Sequence, residues 1–119
     1  MKHQNGRRKL NRKPAHRKAL LRNQIIHFIR YGFLQTTKPR IKEVQRLVEK
    51  LITVSKLGYN FNTIRRVKQA LPYDSEMVTK LIQEIAPKYI DRNGGYTRVI
   101  PLGRRTSDTS CIARLEWVQ

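Results

Sequence analysis

The stretch NGGYTRVIPL, residues 93–102, is where the apolar periodicity of this chain changes. Before it, apolar residues recur every three or four positions, which is the spacing of a helix that buries one face. After the glycine pair the period is about two, which indicates β-strands. Residues 96–102 and 110–118 are therefore predicted to form two antiparallel strands joined by the polar loop 103–109. Helical and strand patterns in separate blocks predict an α+β fold.

Two helices and a short strand are predicted in the first half of the chain. The first helix covers residues 14–31, because proline suits a first helical turn and Gly32 suits a left-handed C-cap; its core face holds Leu21, Ile25, Phe28 and Ile29. Residues 33–37 are rich in strand formers and are a candidate third strand. The second helix starts at Pro39, with Thr37 or Lys38 near its cap, and ends at Gly58; its buried face holds Ile41, Val44, Val48, Leu51 and Ile52.

Two further helices are predicted between residue 60 and the glycine pair. Asn60 or Asn62 can cap the third, which stops at Pro72. Asp74 or Ser75 opens the fourth, and Pro87 closes it. The complete prediction is one α+β domain over residues 14–119, with about four helices packed on a small antiparallel sheet. Residues 1–13, here called the basic arm, show no apolar periodicity and are predicted to be disordered until they bind a partner.

Charge is distributed unevenly along the 119 residues, whose net charge is +18. Residues 1–42 contain 13 Lys and Arg and no acid, since Glu43 is the first carboxylate. The remaining 13 basic residues share residues 43–119 with all 8 acids, among which Glu43 and Glu49 are interpreted as charges on the helix surface. Because like charges repel, the first third of the chain must have a polyanionic partner.

Nucleic acid is the favoured partner because arginines, histidines and amides are interleaved in this region. Guanidinium groups bind phosphates with two hydrogen bonds, and amides can bind sugars and base edges. A solvated charge run kept for solubility and an Arg-rich transit peptide are the alternatives. The predicted RNA-binding residues are Lys2, His3, Arg7, Arg8, Lys9, Asn11, Arg12, Lys13, His16, Arg17, Lys18, Arg22 and Asn23, followed by Arg65, Arg66, Arg92, Arg98, Arg104 and Arg105.

Other classes of function find little support in the sequence. The single cysteine, Cys111, excludes an internal disulfide and a Cys-rich zinc site, and no apolar run approaches the length of a membrane span. His16 and His27 are about three helical turns apart with no carboxylate nearby, and turn chemistry accounts for Ser107 and Asp108. We therefore predict that the chain is not an enzyme and uses no metal or cofactor. A DNA-binding architectural protein is the second hypothesis, but no recognition helix or intercalating wedge is clear.

Several short motifs together resemble the family of bacterial large-subunit ribosomal protein seventeen. They are KLNR (9–12), HRKA (16–19), RN (22–23), QTT (35–37), EKLIT (49–53), RR (65–66), LEWV (115–118) and, most specifically, DRNGGYTRV (91–99). The resemblance implies a structural component of the large ribosomal subunit in the cytoplasm, without catalysis or cofactor. It also implies binding to ribosomal RNA near the polypeptide exit region, beside other ribosomal proteins. The chain departs from the family's usual residues at Gly6, at positions 13–15, at Ser107 and at Cys111.

Overall fold

The computed structural model describes residues 10, 13–72 and 74–118. The helices are α1 (Pro14–Tyr31), α2 (Lys38–Ser55), α3 (Phe61–Ala70) and α4 (Ser75–Lys80), and the strands are β1 (Phe33–Thr37), β2 (Thr97–Arg104) and β3 (Cys111–Trp117). The predicted α+β fold, with four helices and a small antiparallel sheet, is confirmed. Most of the basic arm lies outside the described residues, so its predicted disorder stays a prediction.

Strand β3 lies at the centre of the sheet, whose strand order is β1-β3-β2 with both pairings antiparallel. Leu115 pairs with Leu34 on one side and with Val99 on the other, so the segment 33–37 is the predicted third strand. Strand β2 continues two residues beyond its predicted end. It does so through a register shift between Pro101 and Gly103, which is tolerated because proline needs no partner for its nitrogen on an edge strand.

Helix α2 packs against α1, α3 and all three strands. Each of the five apolar residues predicted for its inner face is buried. Its N-cap is Thr37, whose side chain makes no capping hydrogen bond. The helix is therefore held by burial of its apolar face, and each fully buried aliphatic side chain contributes about 1.5–3 kcal/mol.

The predicted helix ends are confirmed at three positions. Gly32 adopts φ +83° and its N–H donates to the carbonyl oxygen of Phe28 at 2.8 Å, which ends α1 in a left-handed cap. Asn60 caps α3 by accepting a hydrogen bond from the N–H of Thr63 at 3.0 Å. Asp74 caps α4 by accepting from the N–H of Met77 at 3.2 Å. The structure thus selects one residue from each pair that the sequence left open.

The fourth helix is less regular than predicted. After Lys80 the chain continues as a π-helical turn, Leu81–Ile85, and then as a 3-10 turn, Ala86–Tyr89, so Pro87 does not mark its end. The N–H of Ala86 donates to the carbonyl oxygen of Leu81, five residues earlier. Proline has no N–H to continue an α-helical ladder, and the widened turn followed by a tight one accommodates it in a segment that buries one side.

Glu43 corrects the interpretation of the first carboxylates as surface charges. It is buried on α2 next to Val44, and its carboxylate lies 4.0 Å from a guanidinium nitrogen of Arg46. Glu49 is half-buried, and its Oε2 accepts a hydrogen bond from the Thr97 hydroxyl at 3.0 Å. Both errors arise because α2 is covered on several sides, so the solvent face of this helix is narrower than its sequence pattern suggests.

Candidate nucleic-acid interface

Helix α1 and its N-cap carry half of the predicted RNA-binding residues that the structure describes. Burial of Ile25, Phe28 and Ile29 turns one face of this helix towards the core. The predicted binding residues lie away from that face: Lys13, His16, Lys18 and Asn23 are exposed, and Arg17 and Arg22 are half-buried. The predicted arm residues Lys2, His3, Arg7, Arg8, Lys9, Asn11 and Arg12 lie outside the described part of the chain.

The start of α1 is strongly positive and contains no compensating group. Its first turn has no acidic residue, and the side chain of its N-cap, Lys13, makes no capping hydrogen bond. The unpaired N–H groups at a helix N-terminus already carry partial positive charge, and Arg17 and Lys18 add to it. Cations placed there destabilise a free helix by about 0.3–1 kcal/mol each. When an anion such as a phosphate binds there, the same cations would stabilise the bound helix.

Arg22 connects α1 to the second predicted group of basic residues. Its guanidinium donates to the main-chain oxygen of Gln69, near the end of α3, at 3.2 Å. Arg65 and Gln69 are four residues apart and therefore share a face of α3. Arg65 and Arg66 are both exposed. The tertiary fold thus brings the basic residues of two helices onto one continuous surface.

Arg98 and Arg114 of the β2–β3 hairpin share one carboxylate. One guanidinium nitrogen of Arg98 lies 3.3 Å from Glu116 Oε2, and Nε of Arg114 lies 2.7 Å from Oε1 of the same carboxylate. These ion pairs partly neutralise this face of the sheet. Arg92 and Arg104, which were predicted with them, are exposed.

The hairpin turn contains a two-point ion pair between Arg105 and Asp108. Two guanidinium nitrogens of Arg105 donate to the two carboxylate oxygens of Asp108 at 3.0 and 2.8 Å. Asp108 Oδ1 also accepts a hydrogen bond from the N–H of Ser110 at 3.1 Å. These bonds, led by the one from Arg105, hold the pKa of Asp108 well below its usual range. Turn chemistry therefore uses Asp108, as the sequence predicted.

Residues that could support catalysis are dispersed in the described part of the chain. There, no three His, Cys, Asp or Glu side chains are placed to hold a metal ion. The His27 ring packs 4.7 Å from the ring of Tyr31, while His16 is exposed near the start of α1. Among the described helices, none has both the length and the apolar character needed to span a membrane.

Comparison with known proteins identifies the family. The model of the family described as ribosomal protein L17 matches residues 20–118. This chain belongs to the ribosomal protein L17 family. The large ribosomal subunit protein bL17 of Alkaliphilus metalliredigens is 47% identical over 113 residues, covering 93% of this chain and 96% of that protein. The bL17 protein of Campylobacter lari is 47% identical over 118 residues, covering 99% of both chains.

Membership of the ribosomal protein L17 family settles the class of function. The family is a structural component of the large ribosomal subunit and takes part in translation, so this chain is a ribosomal protein of the cytoplasm and not an enzyme. The predicted resemblance is therefore confirmed, and the architectural DNA-binding hypothesis is set aside.

The departures from the usual L17 residues that the structure describes lie at the start of α1 and around the β2–β3 turn. At positions 13–15 the chain has Lys, Pro and Ala, and α1 begins at Pro14 without a side-chain cap. At the hairpin tip, Ser107 lies in the turn that the Arg105–Asp108 pair closes. Cys111 is exposed at the start of β3.

Sequence interpretation missed the aromatic residues of the α2–α3 turn, which it considered only as the start of a helix. Tyr59 and Phe61 are exposed, and the guanidinium carbon of Arg65 lies 5.7 Å from the centre of the Phe61 ring. A usable signal was present, because no Asp or Glu occurs between Glu49 and Asp74.

Proposed function

We propose that this chain binds large-subunit ribosomal RNA through its basic arm and the outward side of α1. The charge distribution carries the proposal: residues 1–42 contain 13 basic and no acidic residues. A free chain gains nothing from such repulsion, whereas contact with closely spaced phosphates makes the charges of the arm and of the outward side of α1 favourable. The arm, residues 1–13, acts as an extension between RNA helices, and residues 14–119 act as the single domain that docks on the RNA surface.

The proposed contacts divide by chemistry. Arg17 and Lys18 bind phosphates beside the positive N-terminus of α1, and Arg22 binds a phosphate further along the helix, while Asn11 and Asn23 bind sugars or base edges. Arg65 and Arg66 extend the contact along α3, which Arg22 joins to α1. Arg92, Arg98, Arg104 and Arg105 form a second, weaker contact, because Arg98 and Arg105 are already engaged with Glu116 and Asp108.

The position that the family resemblance implies is near the polypeptide exit region, with other ribosomal proteins as neighbours. A photoreactive amino acid in nascent chains of increasing length tests this position. We expect cross-links to this protein when the probe reaches the exit, and none when it is deep inside the tunnel. Cross-links that are absent at every chain length would refute the proposed position without affecting RNA binding.

The salt dependence of binding tests the role of the arm. We expect the variant with Arg7, Arg8, Lys9 and Arg12 replaced by Gln to bind protein-free large-subunit RNA more weakly. Each lost phosphate contact should reduce the slope of log K against log salt by about 0.7–0.9, or about 3 in total. The matched control replaces Lys38, Lys42, Lys50 and Lys88 by Gln, which lowers the net charge equally outside the proposed contact. Equal losses in the two variants would show that net charge alone, and no specific contact of the arm, drives binding.

A further inference from the structure

The turn between α2 and α3 combines two exposed aromatic rings with an acid-free surrounding sequence. We infer that Tyr59 and Phe61 form a stacking platform for unpaired bases of ribosomal RNA. This inference rests on the proposed RNA-binding function and adds to it a site that contacts bases, whereas the arm and α1 contact mainly phosphates.

Exposure is the first observation that supports the platform. Leu57, Tyr59 and Phe61 are 66%, 56% and 76% exposed, although all three are large apolar side chains within five residues. Soluble proteins rarely expose such clusters without a binding partner. Neither aromatic ring contributes to the hydrophobic core, so its stabilising role in the isolated chain is small.

The backbone of this turn is well ordered by hydrogen bonds. Gly58 adopts φ +99°, a left-handed conformation that favours glycine. Asn60 accepts a hydrogen bond from the N–H of Thr63 at 3.0 Å and donates its amide to the oxygen of Leu57 at 3.2 Å. The aromatic residues therefore extend from a fixed turn, which lowers the entropy lost when a partner binds.

Charge favours nucleic acid as the occupant of this surface. Residues 51–73 contain no carboxylate and four cations, which are Lys56, Arg65, Arg66 and Lys68. The guanidinium of Arg65 lies over the Phe61 ring, and guanidinium planes, like aromatic rings, stack on bases. Aromatic rings interleaved with cations are typical of surfaces that bind single-stranded nucleic acid.

A second exposed aromatic pair provides a contrast. Tyr31 and Phe33 lie at the turn between α1 and β1, where Arg114 sits 4.3 Å from the centre of the Phe33 ring. Glu116, 2.7 Å from Arg114, partly neutralises the positive charge there. That patch contains a carboxylate and the α2–α3 turn does not, so we assign base stacking to the α2–α3 turn alone.

The platform is continuous with the proposed phosphate-binding surface. Phe61, Arg65 and Gln69 follow one another at intervals of four residues and lie along one side of α3. At 1.5 Å per residue the distance from Phe61 to Gln69 along the helix is about 12 Å. Arg22 of α1 contacts Gln69 at the far end. One RNA strand can therefore follow this side of α3 with its phosphates near α1 and its bases near the turn.

The test measures binding of the full-length chain to protein-free large-subunit RNA at several salt concentrations. We expect the double variant Tyr59→Ala/Phe61→Ala to bind about 10-fold more weakly or worse, because loss of one stacked base costs about 1–3 kcal/mol. The slope of log K against log salt should be unchanged, because no charge is removed. Arg65→Gln/Arg66→Gln, in contrast, should lower that slope. The double variant Tyr59→Phe/Phe61→Tyr should bind as tightly as the wild type, since both positions keep an aromatic ring.

Tyr31→Ala is the matched control, because Tyr31 is 59% exposed and lies outside the platform; we expect it to bind as the wild type does. Circular dichroism and thermal unfolding should show that the double variant remains folded. If the double variant binds the RNA as tightly as the wild type does, the platform is refuted but the proposed RNA-binding function is not. This holds whether or not the variant still assembles into subunits. A changed salt slope, or an equal loss in Tyr31→Ala, would also overturn it. Failure of the wild-type chain to bind would overturn the proposed function itself, and the platform with it.

Discussion

The ammonium group of Lys56 donates a hydrogen bond to the main-chain oxygen of Arg92 at 2.6 Å. The same group lies 3.1 Å from the hydroxyl oxygen of Tyr96. Lys56 follows the last residue of α2, and residues 92–96 lead into β2, so one half-buried cation ties the central helix to the start of the hairpin. This contact spans 36 residues of sequence. It orients the glycine-containing turn where the helical part of the chain gives way to the sheet.

Replacing Lys56 by Met should therefore destabilise the fold. We expect Lys56→Met to lower the free energy of unfolding by about 1–2 kcal/mol, because a charge-assisted hydrogen bond is lost and the oxygen of Arg92 loses its donor. Lys50→Met, at an exposed position of the same helix, should change it by less than about 0.5 kcal/mol. Urea unfolding measures both variants. Equal stability of the two would show that the contact contributes nothing.

Asn60 and Asn62 provide a matched pair at the start of α3. Asn60→Ala should lower the free energy of unfolding by about 1 kcal/mol, because the N–H of Thr63 loses the capping oxygen that now lies 3.0 Å away. Asn62→Ala changes an exposed position inside the first turn and should be close to neutral. The reverse order of effects in thermal unfolding would contradict the observed capping.

Tyr89 and Tyr96 should ionise on opposite sides of the usual tyrosine pKa, about 10. A hydrogen bond with the Thr53 hydroxyl, helped by Lys56, lowers the pKa of Tyr96, although burial opposes it. Burial raises the pKa of Tyr89, whose hydroxyl donates to the oxygen of Val118 at 2.7 Å.

Above about pH 10, Tyr89 should therefore reduce stability, because the unfolded chain releases its proton first, while ionisation of Tyr96 should favour the folded state. Tyrosinate absorbance of the wild type, Tyr89→Phe and Tyr96→Phe measures the order of ionisation. Loss of the earliest step in Tyr89→Phe, instead of in Tyr96→Phe, would reverse the assignment.

Asp108 should remain ionised in acid longer than an ordinary aspartate, because Arg105 and the N–H of Ser110 lower its pKa. Its contribution to stability is present above the unfolded pKa of about 3.9 and is lost as pH falls through the lower folded value. NMR titration of the side-chain carboxyl carbon measures this pKa directly. We expect Arg105→Gln to raise it towards the usual range, and an unchanged value would show that the ion pair does not form in solution.

Local signals in the sequence predicted most of the secondary structure. The helical spacing of apolar residues located all five predicted apolar residues on the buried face of α2, although not Glu43, and Gly32 and Asn60 act as the caps that their residue types favour. The end of the fourth helix was not predictable in this way. Before Pro87 the helix could either end or widen into a π turn. The outcome depends on the residues that pack against Leu81 and Ile85, which are both buried.

The sequence alone determined the α+β architecture, the family resemblance and the concentration of positive charge before Glu43. These properties depend on residues that are close together in the sequence, so the sequence alone specifies them. Only the tertiary structure decided that Glu43 is buried, that Arg22 contacts Gln69 and that Tyr59 and Phe61 remain exposed. Burial and contact between distant residues depend on how elements pack in three dimensions, and helical periodicity does not specify which surface will be covered.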